Sequence, residues 1–129
     1  MKFVVLLGRL FYVSIFLMAA PGHFSAATIA YSASKGVPLA TLFVPLSGVI
    51  AFLGGLSILL GYKAKIGGWL IVIFLVPVTL MMHSFWTETD PMIAMTQQIM
   101  FLKNVSMVGA ALMIAGMGSG PLSLDNRKK

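Results

Sequence analysis

The side chains that could do chemistry in this chain are few, and they lie near the ends of apolar segments. His23, His83, Lys103 and Asn104 are hydrogen-bonding or titratable groups beside stretches that are otherwise hydrophobic. Imidazole, ammonium and amide groups can donate hydrogen bonds to a carbonyl oxygen, and the first two can pass a proton to it. These side chains are therefore the candidates for a functional site.

The composition indicates whether these groups belong to a water-soluble protein or to a membrane protein. Of the 129 residues, 59% are hydrophobic and 9% are charged, whereas a water-soluble domain carries about a quarter charged residues. The mean hydropathy is +0.99. There is no cysteine, which excludes thiolate nucleophiles, cysteine-ligated zinc and iron–sulfur clusters. The chain is therefore predicted to be an integral membrane protein without thiol chemistry of its own.

Four segments are long and apolar enough to cross a hydrocarbon core of roughly 30 Å. We predict an all-α, four-transmembrane-helix bundle that forms one membrane domain over 1–129, with spans at about 3–20, 42–61, 66–83 and 96–117. A weak amphipathic pattern over 24–41 predicts a short helix at the outer interface. Small residues such as Gly48 and Gly109 are expected at helix contacts, and Pro77 frees a carbonyl that a ligand could meet.

The basic residues indicate which way the bundle faces, because lysine and arginine in short loops stay on the cytoplasmic side. One side receives most of them, namely Lys2, Lys63, Lys65 and the tail 118–129, which ends in Arg127, Lys128 and Lys129. The other side receives Lys35, Glu88 and Asp90. Both termini are therefore predicted to be cytoplasmic, in an inner membrane of the bacterial type.

A second interpretation of the N-terminal segment is a cleaved signal peptide. The chain begins with Met-Lys and an apolar run, and it reaches the small residues Ala19 and Ala20. Arg9 interrupts the apolar run, and Pro21 follows the cut site that these residues would define. A retained first span is therefore the favoured interpretation.

Counting along the spans places several polar residues at one level in the outer half of the bundle. A charge inside a membrane is costly and is usually buried against a partner. We therefore expect one ligand-binding cluster from three helices, made of His23, His83, Trp86, Lys103 and Asn104, with Gln97 beside it and Glu88 or Asp90 as its counter-charge. Two histidines without carboxylates at ligand spacing predict no metal site, and no catalytic residue is assigned.

Anchoring at the membrane surface is the alternative role for these residues. Interfacial histidine and tryptophan form belts at membrane surfaces, and Lys103 could extend toward water. Arg9 lies fourteen residues before His23, which is about 20 Å along a helix, so it belongs to another level. We predict a buried charge at Arg9, with extension of its guanidinium to the lipid headgroups as the alternative.

Several short motifs resemble the DoxX family. They are Arg9-Leu10-Phe11, Pro21-Gly22-His23-Phe24, Gly61-Tyr62-Lys63, His83-Ser84-Phe85-Trp86 and Phe101-Leu102-Lys103-Asn104. The resemblance implies a compact four-helix membrane bundle with cytoplasmic termini. It also implies an association with thiosulfate-to-quinone oxidation or with lipid binding, because that family and related four-helix families include both.

The combined expectation is a small inner-membrane subunit of a quinone-linked oxidoreductase complex. It would bind a quinone or a similar amphipathic molecule in the outer half of the bundle. Its partners would be membrane lipid, the quinone and other subunits of the redox complex, and nucleic acid is not expected. The alternative is a non-catalytic lipid-binding or scaffolding protein whose polar cluster only fixes the helix register.

Overall fold

The computed structural model describes residues 1–127, and these residues form helices and connections without a strand. The α-helices are α1 (Lys2–Ala19), α2 (Ala26–Ser34), α3 (Ala40–Leu60), α4 (Ala64–Met82) and α5 (Pro91–Met117). Short 3₁₀ turns follow α1 and α4, at Ala20–Phe24 and Phe85–Thr87. Lys128 and Lys129, which the sequence places in the tail, lie outside the described residues.

Four helices are long and apolar enough to cross a membrane: α1 with its 3₁₀ turn, α3, α4 with its following turn, and α5. The predicted four-helix membrane bundle is confirmed, and α2 is the short helix expected between the first two spans. The last helix begins at Pro91 rather than near residue 96. The reason is a cap, because the Asp90 carboxylate accepts hydrogen bonds from the Met92 and Ile93 amides at 2.8 and 3.4 Å.

The long helices pack in sequence, with α1 against α3, α3 against α4, and α4 against α5. A buried core lies where they meet, and it consists of Val13, Phe16, Ala51, Ile58, Ile71, Leu75 and Ala111. The first and last helices are joined by Tyr12, whose hydroxyl donates to the carbonyl oxygen of Met107 at 2.7 Å. Apart from this hydrogen bond, a cleft separates α1 from α5.

Small residues permit the closest helix contact, between α4 and α5. A Cβ atom at Gly68 would lie 2.7 Å from the Ala115 nitrogen and 2.8 Å from the Ala111 oxygen, so the two backbones touch there. Gly109 faces open space instead, and its predicted place at a helix contact was wrong. Ala111 lies two residues later, about 200° further around the helix, and that rotation brings its face to α4.

The two ends of the bundle carry different groups. We call the end with His23 and His83 the histidine end, and the end with the chain termini and the α3–α4 turn the tail end. At the tail end the Asp125 carboxylate accepts hydrogen bonds from the Lys63 and Ala64 amides at 2.8 and 3.0 Å. These bonds hold the pKa of Asp125 below its usual value. The tail is thereby fastened to the start of α4.

Candidate ligand-binding site

A cavity of about 470 Å³ lies among α2, α3 and α4 at the histidine end. Its walls are the first half of α3 and the second half of α4, and most of its lining is apolar. The polar side chains that line it are His23, Thr28, Ser32, Ser47 and His83. Binding sites for small molecules typically have volumes of about 300–1,000 Å³ and an apolar lining with a few polar groups. The cavity has both properties.

Close packing of the turn after α1 onto α3 holds His23 at this cavity. The imidazole Nδ1 lies 3.1 Å from the Ala19 carbonyl oxygen. The ring packs edge-on against Phe74 of α4, with 5.6 Å between the ring centroids. A Cβ atom at Gly48 of α3 would lie 2.6 Å from the Cβ of His23. The absence of a side chain at Gly48 therefore permits this position of the histidine.

His83 connects the cavity to the last helix. It follows the end of α4, and its Nδ1 lies 2.8 Å from Oε1 of Gln97 on α5. Because the Ala19 and Gln97 oxygens can only accept, Nδ1 donates in both His23 and His83. A neutral imidazole that donates through Nδ1 has Nε2 as an acceptor. Both histidines therefore offer an acceptor to a ligand.

An ion pair joins the two connections at the histidine end. The Lys35 Nζ lies 3.0 Å from Glu88 Oε1, and the two side chains are 21% and 22% exposed. This hydrogen bond raises the pKa of Lys35 above its usual value. Glu88 is paired with Lys35, and Asp90 caps α5. Their predicted role as counter-charges of the polar cluster was wrong, because these local partners occupy both carboxylates.

Three of the predicted site residues do not line the cavity. Trp86 is 57% exposed and packs edge-on against Phe85 and Phe101, with centroid distances of 5.3 and 5.9 Å. Lys103 is exposed on α5, whereas its neighbour Asn104 is buried. The helix α5 packs against α4, while the cavity lies among α2, α3 and α4. The structure thus brings together two of the five predicted residues, the two histidines.

The lining residues that were not predicted as site residues include Thr28, Ser32, Ser47 and Phe74. Thr28 and Ser32 are four residues apart on α2, and this spacing places them on one face of a helix. This spacing could have identified Thr28 and Ser32 from the sequence. Phe74 lies within the apolar run of α4 and had no signal that separated it from its neighbours.

Arg9 is at the tail end, away from the cavity, and it is only 5% exposed. Its Nη1 donates to the carbonyl oxygens of Ser119 and Pro121 at 3.1 and 3.2 Å. Its Nη2 donates to those of Leu122 and Leu59 at 2.7 and 3.4 Å. The guanidinium is therefore enclosed by protein, where it fastens the chain after α5 to α1 and α3.

Four membrane-crossing helices with an apolar cavity at one end define a small multi-pass membrane protein. The model of the SURF4 family matches residues 39–129, and the chain belongs to this family. It is similar to the inner membrane protein YphA of Escherichia coli (strain K12), at 31% identity over 100 residues, covering 78% of this chain and 71% of the relative. It is also similar to the inner membrane protein YqjF of that organism, at 29% identity over 123 residues, covering 94% and 88%. No solved structure matches the chain.

The family match corrects the resemblance to the DoxX family, which was wrong. The motifs that suggested it are short, and several lie at the ends of spans. Glycine, proline, aromatic and basic residues occur at the ends of membrane helices for general physical reasons, so these motifs do not specify a family. The association with quinone oxidation rested on that resemblance. The four spans and the two relatives support a multi-pass inner membrane protein.

Proposed function

We propose that this protein binds one amphipathic molecule in the histidine-end cavity, with its polar head at His23 and His83 and its apolar body between α3 and α4. The observation that carries the proposal is the combination of an apolar cavity of about 470 Å³ with two imidazoles in its lining. An apolar pocket with few polar groups recognises an apolar body and orients a single head. Membrane lipids and isoprenoid quinones and quinols have this form.

Three of the five polar side chains in the cavity favour a head that donates hydrogen bonds. The two imidazoles use Nδ1 internally and retain Nε2 as an acceptor. The Ser47 hydroxyl donates to the Val44 carbonyl oxygen at 2.6 Å, so its remaining capacity is also that of an acceptor. A hydroxyl head, as in a quinol or a long-chain alcohol, supplies the missing donors.

The backbone of α4 adds a further acceptor. Pro77 lies inside this helix and has no N–H, so the carbonyl oxygen of Ile73 loses its intrahelical donor. Both Ile73 and Pro77 line the cavity. A carbonyl without a donor is costly in the apolar surroundings of a membrane, and a ligand hydroxyl would supply one.

A subunit of a quinone-linked oxidoreductase and a non-catalytic lipid-binding protein would both use this cavity. The identity of the bound molecule separates the two roles. An isoprenoid quinol favours the redox role, whereas a prenyl alcohol or another hydroxylated lipid favours the lipid-binding role. An oxidoreductase role would also require partner subunits that exchange electrons with the quinol.

The experiment is a comparison of ligand binding between two substitutions on α4. Val78 lines the cavity and is half-buried, whereas Val76 is 42% exposed and does not line it. The full chain is purified in mild detergent, and native mass spectrometry measures binding of a decyl-substituted benzoquinol and of farnesol. We expect Val78→Phe to lose binding and Val76→Phe to keep it. Equal binding by both variants, or no binding of either probe by the parent protein, would contradict the proposal.

A further inference from the structure

A second pocket, of about 290 Å³, lies in the cleft between α1 and α5. Its lining includes Gly8, Arg9 and Tyr12 of α1 together with Ala110, Met113 and Ile114 of α5. It shares no lining residue with the histidine-end cavity. We call it the tail-end cleft, because Arg9 and Ser119 place it beside the tail. The hydrogen bond between Tyr12 and Met107 joins the two helices beside the cleft.

Arg9 brings to this cleft a buried positive charge that has no carboxylate partner among residues 1–127. The chain has three acidic residues in all. Glu88 pairs with Lys35, Asp90 caps α5, and Asp125 binds the amides that begin α4. The acceptors of Arg9 are main-chain carbonyl oxygens, which are neutral. A buried cation without an opposite charge is costly, and an anion beside it would relieve that cost.

One donor of the same guanidinium is also unused. Among residues 1–127, the buried Arg9 Nε has no hydrogen-bond partner, although Nη1 and Nη2 each donate to two carbonyl oxygens. The Ser119 hydroxyl is a second buried group without a partner. A Cβ atom at Gly61 would lie 2.9 Å from the Oγ of Ser119. The Ser119 hydroxyl therefore faces the α3–α4 turn and is not part of the site. Arg9 lines the cleft, and its Nε is therefore the unpartnered donor beside the cleft.

We propose that the tail-end cleft binds the headgroup of an anionic lipid, with a carboxylate or phosphate oxygen accepting from Nε of Arg9. Charge-assisted hydrogen bonds to arginine are among the stronger polar contacts in proteins. The apolar side chains of Met113 and Ile114 suit the first part of an acyl chain. Lys2, Lys63 and Lys65 lie at the same end of the bundle, and basic residues there attract anionic lipids.

The test uses a pair of glycine substitutions at positions where a Cβ atom has open space. A Cβ atom at Gly8 or at Gly109 would meet nothing within 4 Å, so both positions accept a side chain. Gly8 lines the tail-end cleft and Gly109 does not. Gly8→Leu therefore fills the cleft without removing the hydrogen bonds of Arg9, and Gly109→Leu is the matched control. Arg9→Lys is a third variant, which keeps the positive charge but lacks Nε–H and also the Nη1 and Nη2 donors that bind the tail.

Native mass spectrometry of the full chain in a non-ionic detergent measures binding of four probes. The anionic probes are dilauroyl phosphatidylglycerol and lauric acid, and their neutral counterparts are dilauroyl phosphatidylcholine and methyl laurate. We expect the parent protein and Gly109→Leu to bind an anionic probe in preference to its neutral counterpart. Arg9→Lys should bind that probe at least about tenfold more weakly, which is the loss expected for one hydrogen bond to a charged group. Gly8→Leu should bind it at least as weakly, because its side chain occupies the cleft.

The outcomes distinguish a phospholipid from a fatty acid as the source of the anion. They also distinguish binding in the tail-end cleft from binding in the histidine-end cavity. Preference for phosphatidylglycerol assigns the cleft to a phospholipid phosphate, and preference for lauric acid assigns it to a fatty-acid carboxylate. Equal binding of anionic and neutral probes, or unchanged binding by Gly8→Leu, overturns the proposal. Val78→Phe, which fills the histidine-end cavity, should leave anionic lipid binding unchanged, so failure of either proposal leaves the other in place.

Discussion

Gly48 and His23 lie so close together that the histidine-end cavity depends on the absence of a side chain at position 48. A Cβ atom at Gly48 would stand 2.6 Å from the Cβ of His23 and 3.1 Å from the Ala20 carbonyl oxygen. Such distances are well below van der Waals contact. The position of the imidazole is therefore set by α3, although the histidine itself belongs to the turn that follows α1.

Gly48→Ala should displace His23 and weaken binding in the cavity. We expect a loss of about 1–3 kcal/mol in the free energy of unfolding, which is typical of overpacking at a close contact. Thermal unfolding in detergent and binding of the decyl-substituted benzoquinol measure the two effects. Gly109→Ala is the control, since a Cβ atom there meets open space. If Gly48→Ala matched this control in stability and binding, the close contact would have no role in the site.

The contributions of His83 and Lys103 to ligand binding should be additive. Lys103 is exposed and lies six residues beyond Gln97, the partner of His83, which is about 9 Å along α5. His83→Ala should weaken binding by about 0.5–1.5 kcal/mol, the range for one neutral hydrogen bond. Lys103→Met should leave it unchanged, and the double variant should match His83→Ala within about 0.5 kcal/mol. Coupling above that value in binding measurements would place both residues in one site.

Depth in the membrane could be predicted from the sequence, but the face on which a residue lies could not. The positions of the spans follow from runs of apolar residues, and the structure confirms four of them. Lys103 and Asn104 have nearly the same depth, yet one is exposed and the other is buried. Successive residues on a helix differ by about 100° in direction. Their burial therefore depends on which helices pack beside α5, and that order does not appear in hydropathy.

The partners of Arg9 illustrate a second limit of sequence analysis. The residue was identified as a charge inside a span, which is a local property. Its acceptors at Ser119, Pro121 and Leu122 are more than a hundred positions away in the chain. They are main-chain carbonyl oxygens, which every residue has, so no residue type marked them. Side-chain identities thus predicted a buried charge but not the tail that encloses it.

Acidification should loosen the tail from the start of α4 through protonation of Asp125. Hydrogen bonds from the Lys63 and Ala64 amides lower the pKa of this carboxyl in the folded protein. Its stabilising contribution is therefore fully present above the unfolded value of about 3.9 and is lost as the pH falls through the lower, folded value. Hydrogen exchange at the Lys63 and Ala64 amides should show this loss.

Asp125→Asn is the matched variant for this measurement, because its side chain does not titrate. At neutral pH, we expect hydrogen exchange at the Lys63 and Ala64 amides to be faster in this variant than in the parent protein. The additional rise that protonation of Asp125 causes at low pH should be absent from the variant. The cost to stability should be about 1 kcal/mol, as for other residues that cap the start of a helix. Unchanged exchange in Asp125→Asn at neutral pH would show that the carboxylate does not hold the tail.

The orientation of the bundle remains a prediction, and the absence of cysteine makes it easy to measure. Single cysteines can be introduced at Lys63 and at Glu88, which lie at opposite ends of the bundle. The positive-inside rule predicts that the first is labelled by a membrane-impermeant maleimide only after the membrane is opened. The second should be labelled from outside in intact cells. The reverse pattern would place both termini outside.

Photochemical labelling tests the proposal that one amphipathic molecule occupies the histidine-end cavity. A farnesol analogue with a diazirine in its prenyl chain is bound to the full chain, irradiated, and located by peptide mass spectrometry. We predict labelling concentrated on cavity residues of α3 and α4 such as Ser47, Phe74 and Met81. Unlabelled farnesol should suppress this labelling, and Val78→Phe should lose it. Labelling spread over the exposed faces of α1 and α5, and unaffected by the competitor or by Val78→Phe, would contradict it.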